Sequence, residues 1–263
     1  MSVPTNDRDE TVVASRAVVP DAPPLLELAG VRAGYGAIEV LHGVDLAVPA
    51  GTVMALLGPN GAGKSTALKV CGAQLEPTAG EVRLAGRVVN GASPDALARL
   101  GVCTIPEGRG VFPNLTVREN LWLATQVGVS LEHVEEVAYG RFPRLGERRK
   151  QLAGTMSGGE QQMLAMARAL ATDPALLLLD ELSMGLAPIV VAELYAIVAQ
   201  VSQEGVSIMV VEQFARTVLG IADRAAILVQ GNISRVGTPA ELEEELSAAY
   251  LGNQGNGKQG NGE

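Results

Sequence analysis

The chain has little of several things that would narrow its function quickly. It contains two cysteines, Cys71 and Cys103, and two histidines, His42 and His133, in 263 residues. The cysteines lie in the apolar stretches LKVCGA and GVCTI. They read as small core residues in a reducing compartment, with no disulfide or metal framework. The histidines are far apart in sequence, which argues against a histidine-rich metal site. Positive charge is not in excess: the formal net charge is −9, whereas a protein that wraps nucleic acid presents a basic face. Phosphate binding is not excluded by that balance, because it can rest on backbone N–H groups and one lysine. No apolar run approaches the roughly 18 residues that suggest a membrane span. The opening MSVPTNDRDE is polar and mixed in charge, so no signal peptide is expected. What is plentiful is apolar side chain, 47% of the residues, enough for a substantial core.

Organisation follows from where that apolar material falls. Residues 1–24 mix prolines, valines, alanines and charges without a steady period and read as a disordered extension. The tail GNQGNGKQGNGE, 252–263, is Gly/Asn/Gln-rich and cannot bury a core. Between them one compact unit is expected over 25–251, without internal repeats. Its short apolar runs VMALL (53–57), GVCTI (101–105), ALLLL (175–179), SIMVV (207–211) and AAILV (225–229) are mostly separated by helix-like segments. That pattern suggests a parallel sheet covered on both faces. LLEL (25–28), VDLAV (44–48) and EVRLA (81–85) alternate instead and suit an antiparallel sheet with one wet face. Ser157 with Glu160, and Thr238 with Glu241, fit capping boxes. Pro188 and Pro239 fit first helical turns, and Gly205 a helix stop. Residues 113–172 look mainly helical and form a candidate subdomain.

GPNGAGKST, 58–66, directly follows the VMALL run and matches G-x-x-x-x-G-K-[ST] through Gly58, Gly63, Lys64 and Ser65. Its full course is Gly58, Pro59, Asn60, Gly61, Ala62, Gly63, Lys64, Ser65 and Thr66. The glycines let backbone N–H groups turn towards an anion, and the following helix adds its positive N-terminal end. Lys64 should reach the β- and γ-phosphates of a nucleotide, and Ser65 should bind Mg²⁺. The dinucleotide pattern G-x-G-x-x-G fails, because Gly61-x-Gly63 is followed by Thr66. ALLLLDE, 175–181, supplies a second element: an apolar strand ending in two carboxylates. Asp180 can hold a hydrated Mg²⁺ and Glu181 can polarise an attacking water. Alone, such a run would more often be a strand boundary; beside a phosphate loop it reads as catalytic.

MSGGEQQMLAMARAL, 156–170, places Ser157 as a helix cap, with Gly158 and Gly159 in the first turn and Met163, Met166, Ala167 and Leu170 as a buried stripe. Two successive glycines weaken a helix, which suggests that something approaches closely. Here the chain resembles the ATPase subunits of ATP-binding-cassette (ABC) transporters. The motifs carrying the resemblance are the phosphate loop, SGGEQ and LLLLDE, in that family's order and spacing across essentially all of 25–251. It implies an α/β fold of the P-loop NTPase type, with a RecA-like parallel-sheet core, an antiparallel β subdomain and a helical subdomain. It also implies two ATPase chains paired head to tail. Ser157, Gly158, Gly159 and Glu160 of one chain would then complete the ATP site of the other. Tyr35, in AGYGAIEVLHGV, would stack on adenine.

Four positions depart from the family pattern. Glu107 stands where a glutamine usually contacts Mg²⁺ and senses the membrane partner. Leu182 replaces a proline, Ala187 an aspartate, and Gln213 a histidine that contacts the γ-phosphate. PEGR, S-x-GLAP and VEQ together resemble one of the two ATPase subunits of branched-chain amino acid uptake systems; Leu182 fits neither pattern. The resemblance implies an ATP-hydrolysing subunit that powers import of branched-chain or other hydrophobic amino acids at the cytoplasmic face of the membrane. Its partners would be a second, related ATPase, two membrane permease subunits docked on segment 107–150, and an external solute-binding protein; nucleic acid is not among them. Glu181 would be the general base, Gln213 would position, and Lys64, Ser65, Asp180 and Glu107 would serve the phosphates and Mg²⁺. A urea or short-amide importer is the nearest alternative. A soluble cassette ATPase acting on ribosomes or DNA is more distant, and SGGEQ argues against a P-loop kinase.

Overall fold

The computed structural model describes residues 24–242 apart from 109 and 214. The expected tail 252–263 lies outside the described residues, as do residues 243–251 of the compact unit. So does the expected N-terminal extension, except Pro24. That residue opens the first strand and pairs with Pro49.

The chain begins with a long hairpin, β1 (Pro24–Tyr35) and β2 (Ile38–Pro49), followed by β3 (Val53–Leu57), α1 (Lys64–Cys71), β4 (Ala79–Leu84) and β5 (Arg87–Val88). Next come α2 (Pro94–Arg99), β6 (Val102–Ile105), α3 (Val117–Trp122), α4 (Leu131–Arg141), α5 (Pro143–Glu147) and α6 (Gly158–Leu170). The described part closes with β7 (Leu176–Asp180), α7 (Pro188–Gln203), β8 (Ser207–Glu212), α8 (Ala215–Leu219), β9 (Arg224–Val229) and β10 (Asn232–Gly237).

These strands form two sheets among the described residues. One has the order β2-β1-β4-β5, and the other β10-β9-β3-β8-β7-β6. The first is antiparallel, as the alternating segments imply. In the second, all pairings are parallel except β9 with β10. The edge strand β10 has no counterpart among the apolar runs, since NISRVG is mostly exposed.

The reason for the unbroken apolar runs is visible in β3. Val53, Ala55 and Leu57 face a core shared with α6, α7 and the helical segment. Met54 and Leu56 face the other way, into a core shared with the hairpin and α1. With period-two alternation and both faces covered, every position must be apolar. Cys71 belongs to the second core, where burial pushes its thiol up to about 12. It is therefore an unreactive packing residue.

Residues 113–172 are largely helical, as their sequence suggests. Their last helix, α6, nevertheless packs against the parallel sheet as well as against α3 and α4. Gln161 to Ala167, Ala169 and Leu170 are all buried, which is wider than a single stripe. A helix sandwiched between two layers loses its polar face, and the buried Gln161 compensates by donating from Nε2 to the Ala153 and Met156 carbonyls.

Helix α7 starts at Pro188, with Ala187 in the N-cap position. Ala187 has extended backbone angles and its carbonyl accepts from Val190 and Val191 N–H, but its side chain supplies no cap. Ala187→Asp should therefore stabilise the chain by about 1 kcal/mol, since Asp at this position caps the first turn and meets the helix dipole. Thermal or urea unfolding measures it. An unchanged or lower midpoint would show that the loop cannot accept the cap.

Candidate functional site

Three strand tips meet at the carboxyl edge of the parallel sheet. Strand β8 lies between β3 and β7. Leu57, just before the phosphate loop, is in register with Glu212, and Asp180 with Val211. Open α/β sheets bind ligands along this edge.

Gly58 leaves β3 against the neighbouring strand: a Cβ built there would lie 2.2 Å from the Leu228 carbonyl oxygen of β9. Ala62 donates to the Pro59 carbonyl, and its own carbonyl accepts from Gly231 N–H at 2.9 Å, so the β9–β10 turn braces the loop. Gly63 takes a left-handed conformation (φ 105°) as the N-cap of α1. Pro59, Asn60 and Gly61 are exposed, whereas Ala62, Gly63, Lys64 and Thr66 are buried.

Lys64 turns back over its own loop. Its Nζ donates to the Gly58 carbonyl at 3.0 Å and the Pro59 carbonyl at 3.2 Å, and stands 3.9 Å from Glu181 Oε1. Ser65 Oγ donates to Asp180 Oδ1 at 3.2 Å. Burial raises the pKa of Asp180; the Ser65 hydrogen bond opposes this, and the charges of Glu181 and Glu107 add to it. Burial likewise raises Glu181, with Lys64 opposing and Glu107 and Glu212 reinforcing. A carboxylate lifted in this way is a better proton acceptor than a solvated one. Glu181 also has a positive φ of 46°, uncommon for a non-glycine residue, and its N–H donates to the Val211 carbonyl at 3.0 Å.

The oxygen set also bears on a metal. Among the described residues, no group of three or more His, Cys, Asp or Glu side chains could hold an ion. One hydroxyl and one carboxylate, with a second carboxylate near, instead fit Mg²⁺, which keeps waters and substrate phosphates as most of its ligands. Glu107 is exposed beyond the end of β6, near enough for its charge to act on Asp180 and Glu181.

Tyr35 ends β1 and is 47% exposed. Lys69, on the helix after the phosphate loop, has its Nζ 5.7 Å from the ring centroid and 3.5 Å from the hydroxyl. The aromatic ring thus lies beside the last turn of the helix that follows the phosphate loop.

Ser157 to Glu160 stand apart from that cluster, at the start of α6. Both halves of the expected capping box form there: Ser157 N–H donates to Glu160 Oε2 at 2.9 Å, and Glu160 N–H to Ser157 Oγ at 3.4 Å. Burial acts to raise Glu160, but these bonds and the Arg148 charge outweigh it and lower its pKa. The close approach that two glycines suggested is internal at Gly159, where a Cβ would lie 2.6 Å from Val190 Cγ1. The box at Thr238 and Glu241 is formed as well.

The strand end at Glu212 is buried, which the sequence pattern does not announce. The apolar run SIMVV stops at Val211, yet β8 continues through Glu212, which is only 1% exposed. Its carboxylate accepts from Ser183 and Tyr195, neither of which sequence reasoning singled out. Gln213 follows, half-buried, at the strand tip.

Comparison with known proteins places these features in a family. The family described as ABC transporter matches residues 41–183. The chain is 43% identical over 226 residues to the high-affinity branched-chain amino acid transport ATP-binding protein BraG of Pseudomonas aeruginosa, covering 83% of this chain and 95% of that protein. It is 30% identical over 250 residues to BraF of the same organism, covering 87% and 98% respectively. A solved structure of the ATP-binding subunit of an ABC transporter superposes with a TM-score of 0.78 at 28% identity, covering 88% of this chain and 99% of that one.

Proposed function

Because the chain belongs to the ABC transporter ATPase family, we propose that it binds and hydrolyses ATP to power uptake of branched-chain or other hydrophobic amino acids through partner membrane subunits. The observation that carries the reading is the meeting of strand tips, with Lys64 3.9 Å from Glu181 and Ser65 3.2 Å from Asp180. An anion-cradling loop, a cation, a metal-compatible hydroxyl–carboxylate pair and a raised carboxylate are the parts phosphoryl transfer to water requires.

In this scheme the backbone of Gly58 to Gly63 and the Lys64 ammonium hold the β- and γ-phosphates. The Tyr35 ring stacks on adenine. Ser65 and Asp180 would hold Mg²⁺, with Glu107 beside them, and the ion would supply neutralising charge to the phosphates. Glu181 accepts the proton of the attacking water. Gln213 cannot take up a proton at neutral pH, so it donates to a phosphate oxygen or orients the water, the latter as a glutamine does in GTPases. Ser157, Gly158, Gly159 and Glu160 serve the ATP of a second, related ATPase chain. Similarity to both BraG and BraF of one organism supports a heterodimer.

No helix among the described residues is long and apolar enough to cross a membrane. Segment 107–150 is the proposed docking region for the permease, and the chain is placed peripherally on the cytoplasmic face. An external solute-binding protein delivers the solute to the permeases, and nucleic acid plays no part.

Two linked measurements test the reading. Tagged full-length chain, purified from its own detergent-solubilised membranes, should bring down an integral membrane subunit. Loss of the chain should abolish high-affinity uptake of labelled leucine, isoleucine or valine. Failure to recover any membrane protein would sink the importer assignment. Unaltered uptake would sink the amino-acid assignment alone.

A further inference from the structure

Glu212 has no part in the scheme above, yet it is the most heavily bonded carboxylate near the strand tips. It ends β8 at 1% exposure. A carboxylate withheld from water is tolerated when donors fill its lone pairs. Three donors do so: Ser183 N–H to Oε1 at 3.0 Å, Ser183 Oγ to Oε2 at 2.9 Å, and Tyr195 OH to Oε1 at 2.5 Å.

The sources of these bonds are what matter. Ser183 lies two residues beyond Glu181, and the intervening Leu182 is 1% exposed. Glu181 itself donates its N–H to Val211, the residue before Glu212. Consecutive residues of β8 therefore fasten the loop on both sides of Leu182, and hold Glu181 at its positive φ of 46°. Tyr195 comes from the middle of α7, the helix into which this loop runs. Gln213 is the next residue after Glu212. One side chain thus ties the loop bearing Glu181, helix α7 and the strand tip bearing Gln213. The loop is held by the burial of Leu182 and by these hydrogen bonds.

We propose that Glu212 is a positioning residue for the hydrolytic step. Through Ser183 it sets the direction of Glu181 relative to Gln213, so that the two sides of the attacking water are fixed together. The inference rests on the reading of Glu181 as general base. It assigns Glu212 geometry first, since its charge is the smallest of the influences on Glu181. Glutamine keeps one oxygen for Ser183 N–H and Tyr195 OH, and its amide can donate to Ser183 Oγ.

The test is steady-state ATP hydrolysis by the full chain in its transporter complex, with thermal melts of each variant. Glu212→Ala should lower kcat at least tenfold while KM for ATP changes less than threefold. Glu212→Gln should return kcat to within threefold of the parent. Ser183→Ala should lower kcat at unchanged KM, and combining it with Glu212→Ala should add less than twofold, because Glu212→Ala already removes the single bond, Ser183 Oγ to Glu212 Oε2, that Ser183→Ala deletes. A general structural lesion would instead raise KM and lower kcat together, and would not be rescued by glutamine. A parental kcat in Glu212→Ala overturns the proposal, and so does a glutamine variant no better than alanine. If Glu212→Ala does not fold, Ser183→Ala decides: loss of kcat at constant KM supports the role, and no loss overturns it. Glu181→Gln assayed alongside separates the two levels. Turnover surviving in that variant defeats the general-base reading itself. Turnover lost there but parental in Glu212→Ala defeats only the positioning role.

Discussion

Replacing Glu181 by glutamine should reduce ATP turnover by about a thousandfold or more, roughly 4 kcal/mol in barrier, and leave ATP binding intact. Glutamine matches glutamate in size, so the loop fastened to Val211 and Glu212 keeps its course. What disappears is the proton acceptor whose pKa burial lifts. The groups proposed to bind the phosphates and the metal, Lys64, Ser65 and Asp180, remain. The substitution also removes a negative charge 3.9 Å from Lys64 Nζ, so affinity for a polyanion should hold or rise. Phosphate release measures the first effect, and equilibrium binding of a fluorescent ATP analogue the second. Turnover within tenfold of the parent would show that another group, Gln213 first among them, activates the water. Loss of both binding and turnover would show that Glu181 shapes the site rather than serving in the reaction.

The departures from the family pattern find places in this geometry. Ala187 leaves α7 uncapped, and Leu182 sits in the core instead of stiffening the loop as a proline would. Glu107 adds negative charge beside two carboxylates already raised by burial. Gln213 adjoins a buried carboxylate held by three donors. The proposed water-activating side of this site therefore rests on fixed hydrogen bonds around Glu181, its proposed base.

Much of this was legible from local pattern because the physics is local. A strand buried on both faces must be apolar throughout, so VMALL, ALLLL and SIMVV announce themselves. A loop that turns N–H groups towards an anion needs glycines at fixed spacing, so GPNGAGKST does too. Capping boxes at Ser157 and Thr238 are decided within three residues. What escaped was decided at long range. Glu212 looks like any solvated strand boundary until Ser183, 29 residues earlier, and Tyr195, 17 residues earlier, fold onto it. At Gly159 the neighbour that fills the space of a side chain, Val190, comes from α7. Strand β10 carries little apolar signal because it is an exposed edge hairpin partner. The insertion of β8 between β3 and β7, which makes the site, is a property of sheet order that no periodicity encodes.

Gly58→Ala should cost both stability and nucleotide binding, through one methyl group. The added carbon would stand 2.2 Å from the Leu228 carbonyl oxygen and 3.3 Å from its carbon. These are backbone atoms of β9, paired to β3 on one side and β10 on the other, so they cannot swing aside as a side-chain tip would. The phosphate loop must move instead. Overpacking of this kind costs about 1–3 kcal/mol, and a displacement of about 1 Å in a preorganised site costs on the order of a hundredfold in function. The same displacement would disturb the two carbonyls, of Gly58 and Pro59, that hold the Lys64 ammonium. Gly61→Ala provides the contrast. Its φ is +77° but no atom lies within 4 Å of the added carbon, so it should lose only about 1–2 kcal/mol of stability from backbone strain. Urea unfolding and ATP titration of the two variants separate the effects. A Gly58→Ala chain that unfolds at the parental midpoint and binds ATP as tightly would mean that β9 yields where its hydrogen bonds say it should not.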